Sequence, residues 1–330
     1  MKKSGKKVSK AKLRIIISVC VMLVFLIALI ITNIFVPVKY LFSYFVLRNK
    51  GADDGILRVS FLDVGYGDCI VIELPDGKNM LIDAGNGRFP LQAKILKYLN
   101  GRNIDSIDYL VCSSVNSEHC GGLEEIIKYK DVKKIYMPYC KNVNINRSYR
   151  RFYDEAKASG AEIAISEYGE GEDCGDYFFK FLSPSVHSLP NGEYADLNMN
   201  ATEKSVGNAS AVIWLEFGDT SFLFTGDIRF EILQNILASY ELIPEDYPVK
   251  LKNLDVMQIP AHGSVNSSCQ EFYDFIKPPV AVTSVGENGF GCPSQQIVHQ
   301  AGKWAQDNFF RTDDGDVIIE ADICGYKILQ

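Results

Sequence analysis

The sequence predicts an α/β chain, a four-layer αββα sandwich of two mixed sheets, preceded by one transmembrane helix. Three observations predict it. Strand-period and helix-period segments alternate in two successive blocks, and blocks of strands followed by helices suit a sandwich with helices outside and sheets inside. Hairpin-type strand pairs fall at 69–83, 211–225 and 316–329, which argues against the alternative, a doubly wound parallel sheet. An uncharged apolar run stands between a basic N-terminal tail and everything else.

That N-terminal pattern sets the domain organisation. Residues 1–14 carry seven basic residues and no acid, and residues 15–38 are 24 positions without a charge. Such a run crosses a bilayer core of roughly 30 Å as a helix. A basic tail ahead of it predicts a cytoplasmic N-terminus and an extracellular remainder, that is, a single-pass protein of the cell membrane. A cleaved signal peptide is the rival reading, but no Ala-x-Ala follows the run. A buried core helix is the third. Residues 39–55 read as an aromatic collar and a linker: Tyr40 to Val46 is apolar and aromatic, and Arg48 and Lys50 follow. Residues 56–330 form the predicted ectodomain.

Within it each element has a local cause. Ile56 to Leu62, Cys69 to Leu74 and Asn79 to Gly85 read as strands, the last two joined by the turn Pro75-Asp76-Gly77-Lys78. Phe89 to Leu99 spaces apolar residues helically and Gly101 ends it. Asp108 to Cys112 and Lys134 to Met137 are short strands, and Ser148 to Ser159 is an amphipathic helix. Phe178 to Leu182 is a strand, and Ser183 to Gly207 a long polar loop. Ala211 to Phe217 and Ser221 to Thr225 form a hairpin about Gly218-Asp219. Helices follow at Phe230 to Tyr240 and Gln270 to Ile276, with strands at Asp255 to Ile259 and Val280 to Ser284. The hairpin Asp316 to Glu320 with Gly325 to Leu329 closes the chain.

Charge and cysteine content limit the function. The chain has 34 basic and 41 acidic residues, so removing the seven tail cations leaves 27 against 41, a net −14. A protein that grips nucleic acid without sequence preference needs a basic footprint, and this composition shows none. Of nine Cys, Cys20 lies in the apolar run and eight lie beyond it; an even number permits disulfides, while burial as small hydrophobes is the plainer reading.

The chemistry-bearing segment is Ser113 to Gly122, SSVNSEHCGG, between a strand and a helix. Around it stand FLDVGYGD (Phe61 to Asp68), LIDAG (Leu81 to Gly85), NAS (Asn208 to Ser210), TGD (Thr225 to Asp227), IPAHGSVNSS (Ile259 to Ser268) and SVGENGFGCPS (Ser284 to Ser294). In this order they resemble the extracellular metallo-β-lactamase-like domain of the ComEC/Rec2 competence family, over about Leu57 to Ile328. Tyr66 stands where that family has Gln, and the family's His-x-His-x-Asp-His reads Ser114, Asn116, Glu118 and His119 here. Its His-His pair reads Ala261-His262, and its Gly-His-Pro reads Gly291-Cys292-Pro293.

The resemblance implies a metallo-β-lactamase-like sandwich with two metal sites, so ligands can be counted. Ser114 and Asn116 offer a neutral hydroxyl and a neutral amide, weak donors that dismantle the site of the His-x-His pair. The other site keeps Glu118, His119, Asp227 and His262, two carboxylates and two imidazoles that suit one Zn or Mn, or none if the geometry fails. Cys292 is the thiol alternative for the last ligand. Glu118 and Asp227 are also the candidate catalytic residues. Each residue has a plainer reading. His119 caps a helix, His262 is a turn residue, Asp227 is the N-cap of the next helix, and Glu118 is a solvated loop acid. Asp63, Asp68 and Asp83 read as loop-orienting carboxylates, and His187 and His299 as surface residues.

Two functions follow. The first is a membrane-anchored extracellular pseudoenzyme that keeps the sandwich and binds a ligand or partner, DNA or another envelope protein. The second is a single-metal phosphodiesterase or nuclease-like hydrolase acting on extracellular nucleic acid.

Overall fold

The computed structural model describes residues 10–35, 55–140, 145–184, 197 and 200–329. Helix α1 (Lys10–Phe35) occupies the place of the predicted span, and its large apolar side chains from Ile15 to Ile27 are exposed. Among the described residues no helix is long and apolar enough to cross a membrane. The collar, the linker up to residue 54, His187 and most of the polar loop lie outside the described residues.

Two sheets face each other. The first orders its strands β15 (Gly325–Leu329), β14 (Val317–Asp322), β1 (Leu57–Phe61), β2 (Ile70–Glu73), β3 (Asn79–Ile82), β4 (Ser106–Val111), β5 (Asp131–Met137) and β6 (Glu162–Ile165). The second runs β13 (Phe309–Arg311), β12 (Val280–Thr283), β11 (Val256–Gln258), β10 (Thr220–Phe224), β9 (Val212–Phe217), β8 (Tyr177–Ser183) and β7 (Gly171–Asp173). Both sheets are mixed. The predicted hairpins β2–β3, β9–β10 and β14–β15 are antiparallel, while β3 through β6 and β10 through β13 pair in parallel.

Three apolar layers follow from the alternation of side chains along each strand. Phe61, Ile72, Tyr136, Phe179, Phe181, Ile213 and Phe222 fill the space between the sheets. On the outer face of the first sheet lie α2 (Leu91–Gly101), α3 (Ser117–Cys120), α4 (Leu123–Tyr129) and α5 (Arg147–Ser159). On the outer face of the second lie α7 (Phe230–Leu242), α8 (Gln270–Ile276) and α9 (Gln295–Ala305). This is the predicted αββα order. The short α6 (Glu203–Asn208), capped by the Thr202 side chain, begins inside the stretch read as loop and ends one residue past it. Strands β6, β7 and β13 and helix α9 had no expectation; β7 and β13 have only three residues each, too few to show a period.

The eight Cys beyond the apolar run are thiols, five of them buried, as the plainer reading expected.

Phe179 shows what the inner layer contributes. It is fully buried, with Tyr109 5.1 Å away edge-on and Tyr136 6.0 Å away at 89°. Phe179→Ala should destabilise the fold by about 3–5 kcal/mol, read by denaturant unfolding. A loss below about 1 kcal/mol would mean that the sheets do not pack through this layer.

Candidate metal centre

The sheets deliver five segments to one edge. The loop after β1 carries Asp68, the end of β3 carries Asp83, the loop after β4 carries Asn116 to His119, and the loop after β10 carries Asp227. The turn Pro260–Gly263 after β11 carries His262. The first and third loops touch backbone to backbone: Asp68 N–H donates to the Glu118 carbonyl at 3.2 Å. A side chain at Gly67 would place its Cβ 2.5 Å from that same carbonyl oxygen, so only glycine lets the loops close.

Three non-glycine residues here adopt left-handed backbone: Asp83 (φ 60°), Ala261 (φ 49°) and His262 (φ 55°). Each conformation costs about 1–3 kcal/mol, and such strain persists where the surroundings fix it, often at functional sites. Asp83 is fixed by three hydrogen bonds. Ser113 N–H donates at 2.8 Å, Ser113 Oγ at 2.5 Å, and His119 Nδ1 at 2.9 Å.

These contacts set both tautomers. His119 Nδ1 faces the Asp83 carboxylate, with Asp68 Oδ2 3.4 Å away, so Nδ1 carries the proton. His262 Nδ1 lies 2.8 Å from the Ser284 carbonyl, which only accepts, so it also carries a proton. Both Nε2 atoms therefore turn inward to the same carboxylate oxygen. Asp227 Oδ1 is 3.0 Å from His119 Nε2 and 3.7 Å from His262 Nε2. Both Nε2 atoms are buried with no hydrogen-bond partner. The other oxygen, Asp227 Oδ2, accepts from the Asn116 amide at 2.7 Å. Ligand atoms of Glu118, His119, Asp227 and His262 all lie within 4.8 Å of one another. Two buried imidazole nitrogens that lack hydrogen-bond partners and face one carboxylate oxygen match what a divalent cation requires, so these residues fit a metal.

In the metal-free protein His119 and Asp227 pair as ions, 3.0 Å apart. Burial opposes charge on His119, yet Asp227, Asp83 and Asp68 together hold its imidazole well above the ordinary histidine range. Burial would raise the Asp227 carboxyl, but His119, His262 and the Asn116 amide hold it well below the usual carboxylate range. Asp68 is pushed up by burial, despite both histidines. It is held by Gln258 Nε2 at 2.8 Å, and Gln258 Oε1 accepts from the Thr225 backbone at 2.9 Å, which ties the two loops together.

The loop is therefore part of a candidate single-metal site. The structure brings Glu118, His119, Asp227 and His262 together. Asp227 is not the N-cap of α7, a place held by Arg229. Glu118 is half-buried, whereas His119 and His262 are buried. Asp68 and Asp83 orient the site, and Asp63 anchors its own loop by accepting from Gly65 N–H at 3.1 Å. Asp68, Asp83 and His119 also form a compact trio, but with Nδ1 of His119 protonated they act as its hydrogen-bond partners. His299 is exposed. Cys292 is buried beside Tyr66, whose ring covers His262 at 4.3 Å, and its thiol is raised by burial. Reading the sequence missed Gln258 and the cleft residues Arg88 and Arg229, none of which lies at a ligand position of a motif.

A cleft of about 790 Å³ opens over the centre, lined by Tyr66, Asn86, Arg88, Glu118, Asp227 and Arg229 among others.

Residues 62–287, more than half of the chain, match the metallo-beta-lactamase superfamily. The chain is 25% identical over 274 residues to ComE operon protein 3 of Bacillus subtilis (strain 168), covering 78% of this chain and 31% of that protein. It is 26% identical over 268 residues to Recombination protein 2 of Haemophilus influenzae, covering 80% and 29%. The chain thus spans about a third or less of these relatives. The crystal structure of the metallo-beta-lactamase fold protein YhfI from Bacillus subtilis is similar at a TM-score of 0.48 and 10% identity, over 80% of this chain and 100% of that one.

Asp83→Asn should destabilise the protein by about 1–3 kcal/mol, since it leaves a buried donor unmatched; unchanged denaturant unfolding would mean that the carboxylate is not the acceptor. The pH dependence of the metal-free protein follows from the two shifts. The lowered Asp227 contributes stability that is present above about pH 3.9 and lost as pH falls through its folded value. The raised His119 contributes stability that is present below about pH 6.5 and lost as pH rises through its folded value. Stability should therefore peak at mildly acidic pH, and the raised Asp68 favours the acid side of that range. A stability profile that rises steadily from pH 4 to 8 would contradict this.

Proposed function

The chain belongs to the metallo-β-lactamase superfamily, and from that premise we propose that it is a membrane-anchored member related to the ComEC/Rec2 competence proteins, reduced to one metal site and used to bind a ligand or partner. One observation carries the metal half of this reading: the two oxygens of Asp227 have different partners. Oδ1 faces the inward Nε2 atoms of His119 and His262, while Oδ2 is taken by the Asn116 amide. In a binuclear centre the second oxygen would face a second cation. Here a neutral N–H group occupies that direction, and Ser114 is buried.

His119, Asp227 and His262, with Glu118 at the cleft side, would hold one Zn or Mn. Such an ion, when bound, supplies Lewis acidity to an oxygen of the ligand. The remaining work belongs to the chain. Asp83 and the Ser284 carbonyl fix the two rings, and Gln258 fixes Asp68. Four changes of ligand type relative to the family pattern support binding as the role, rather than hydrolysis. The second reading, a single-metal phosphodiesterase, is favoured by Glu118. It lines the open cleft and is half-exposed, where a general base could reach a water.

The anchor is part of the proposal. The basic tail, the uncharged run at 15–38 and the exposed apolar side chains of α1 support a single-pass protein with its folded domain outside. The net −14 of the remainder favours another envelope protein over DNA as the partner.

Elemental analysis of the full-length protein should find one equivalent of Zn or Mn, lost in His119→Ala. The double variant Ser114→His/Asn116→His should take up a second. No metal in the parent, or two equivalents in it, would contradict the single half-site. Alkaline extraction should leave the full chain in the membrane pellet and release a variant lacking residues 1–38; release of both would refute the anchor.

A further inference from the structure

Two arginines stand in the cleft without an assigned role, and each is held there by a glycine. Arg229 follows Asp227 by two positions and lines the same cleft. Its aliphatic stem lies against Gly207. A Cβ at 207 would come 2.9 Å from Arg229 Cγ and 3.0 Å from the Asp227 carbonyl oxygen. The missing side chain at 207 is therefore the slot in which Arg229 lies. Its side chain is 20% exposed, and its Nε is buried without a hydrogen-bond partner. The nearest carboxylate, Glu231 Oε2, is 3.6 Å from that Nε, beyond hydrogen-bonding range. Glu231 thus forms only a long ion pair with Arg229, and its Oε1 is also paired with Lys204 at 2.7 Å.

Arg88 is set by a second close approach. Gly87 has φ +71°, and a Cβ there would come 2.2 Å from the Gly121 carbonyl oxygen. The Asn86 side chain accepts from Arg88 N–H at 2.9 Å. The turn 86–88 is thus pinned to the Gly121-Gly122 backbone beside the metal centre. Arg88 is exposed and makes no ion pair among the described residues.

A guanidinium presents a planar fork of donors that matches an oxyanion in bidentate fashion. Two such side chains line the cleft that contains Glu118 and Asp227: Arg88 makes no ion pair among the described residues, and Arg229 has Glu231 3.6 Å from its buried Nε, too far for a hydrogen bond. We propose that Arg229 and Arg88 form an oxyanion subsite beside the metal centre, so that the cleft takes a ligand bearing a phosphate or a carboxylate group. Glu118 and Glu287, in the same cleft, oppose an anion. They make binding weaker in the metal-free protein than in the loaded one. The subsite names the ligand chemistry of the proposed binding role, but it rests on the arginines and not on the metal.

The test is calorimetric titration of the full-length protein in detergent with inorganic phosphate and, separately, with acetate. Each is done on chelator-treated protein and on metal-loaded protein freed of excess metal. A saturable site for at least one anion is expected, weakened tenfold or more in Arg229→Gln. Gly207→Ala should give the same loss by displacing Arg229. Preference for phosphate or for acetate identifies the group. Arg88→Gln alters an exposed side chain, so it keeps the test open if the Arg229 variant does not fold; a threefold or greater loss is expected. Saturable binding by the chelator-treated protein, lost in Arg229→Gln, supports the subsite even if elemental analysis finds no metal. The proposal is overturned if neither form binds either anion, or if binding is the same in the arginine variants, which would assign it to the metal alone.

Discussion

The centre depends on one buried contact, the hydrogen bond from His119 Nδ1 to Asp83. Asp83 is fully buried in a left-handed conformation and also holds Ser113 by backbone and side chain. It therefore locks the loop after β4 and turns the imidazole so that Nε2 points inward. His262 is oriented in the same way by a carbonyl. With both rings fixed, their Nε2 atoms converge on Asp227, and the strained backbone at Asp83, Ala261 and His262 becomes intelligible as the condition of that convergence. A carboxylate behind an imidazole also raises its basicity as a ligand.

Asn116 gives the arrangement its asymmetry. A histidine there would offer a lone pair to a cation; the amide offers a proton to Asp227 Oδ2. The Asp227 carboxylate is thus satisfied on one side by the protein itself. The change stabilises the dismantled half, because it removes an acceptor that would otherwise be buried without a partner. The intact half keeps its unmatched nitrogens. The two imidazoles face one oxygen at 3.0 and 3.7 Å, an arrangement that pairs as ions in the metal-free protein and also fits a cation.

Much of this was legible in the sequence. The αββα order could be read because its strands are paired by short turns and its helices spaced by apolar repeats. The four ligand-type residues could be read because each sits in a motif of fixed order. Three features could not. β7 and β13 are three residues long and form only because a neighbouring strand offers a ladder. Gln258 has no local signature, since its partner Asp68 is 190 positions away. Arg229 reads as an ordinary helix-leading residue until Gly207 is seen beneath it. Asp227 illustrates the opposite error: Thr-Gly-Asp before a helix has the form of an N-cap, but the helix begins later and frees the carboxylate for the centre.

X-ray absorption at the metal edge of the loaded full-length protein tests the account most directly. A mononuclear half-site predicts scattering from two imidazoles and from oxygen donors, with no metal–metal component near about 3.5–4 Å. A metal–metal shell at that distance, or a metal environment without histidine scattering, would contradict it.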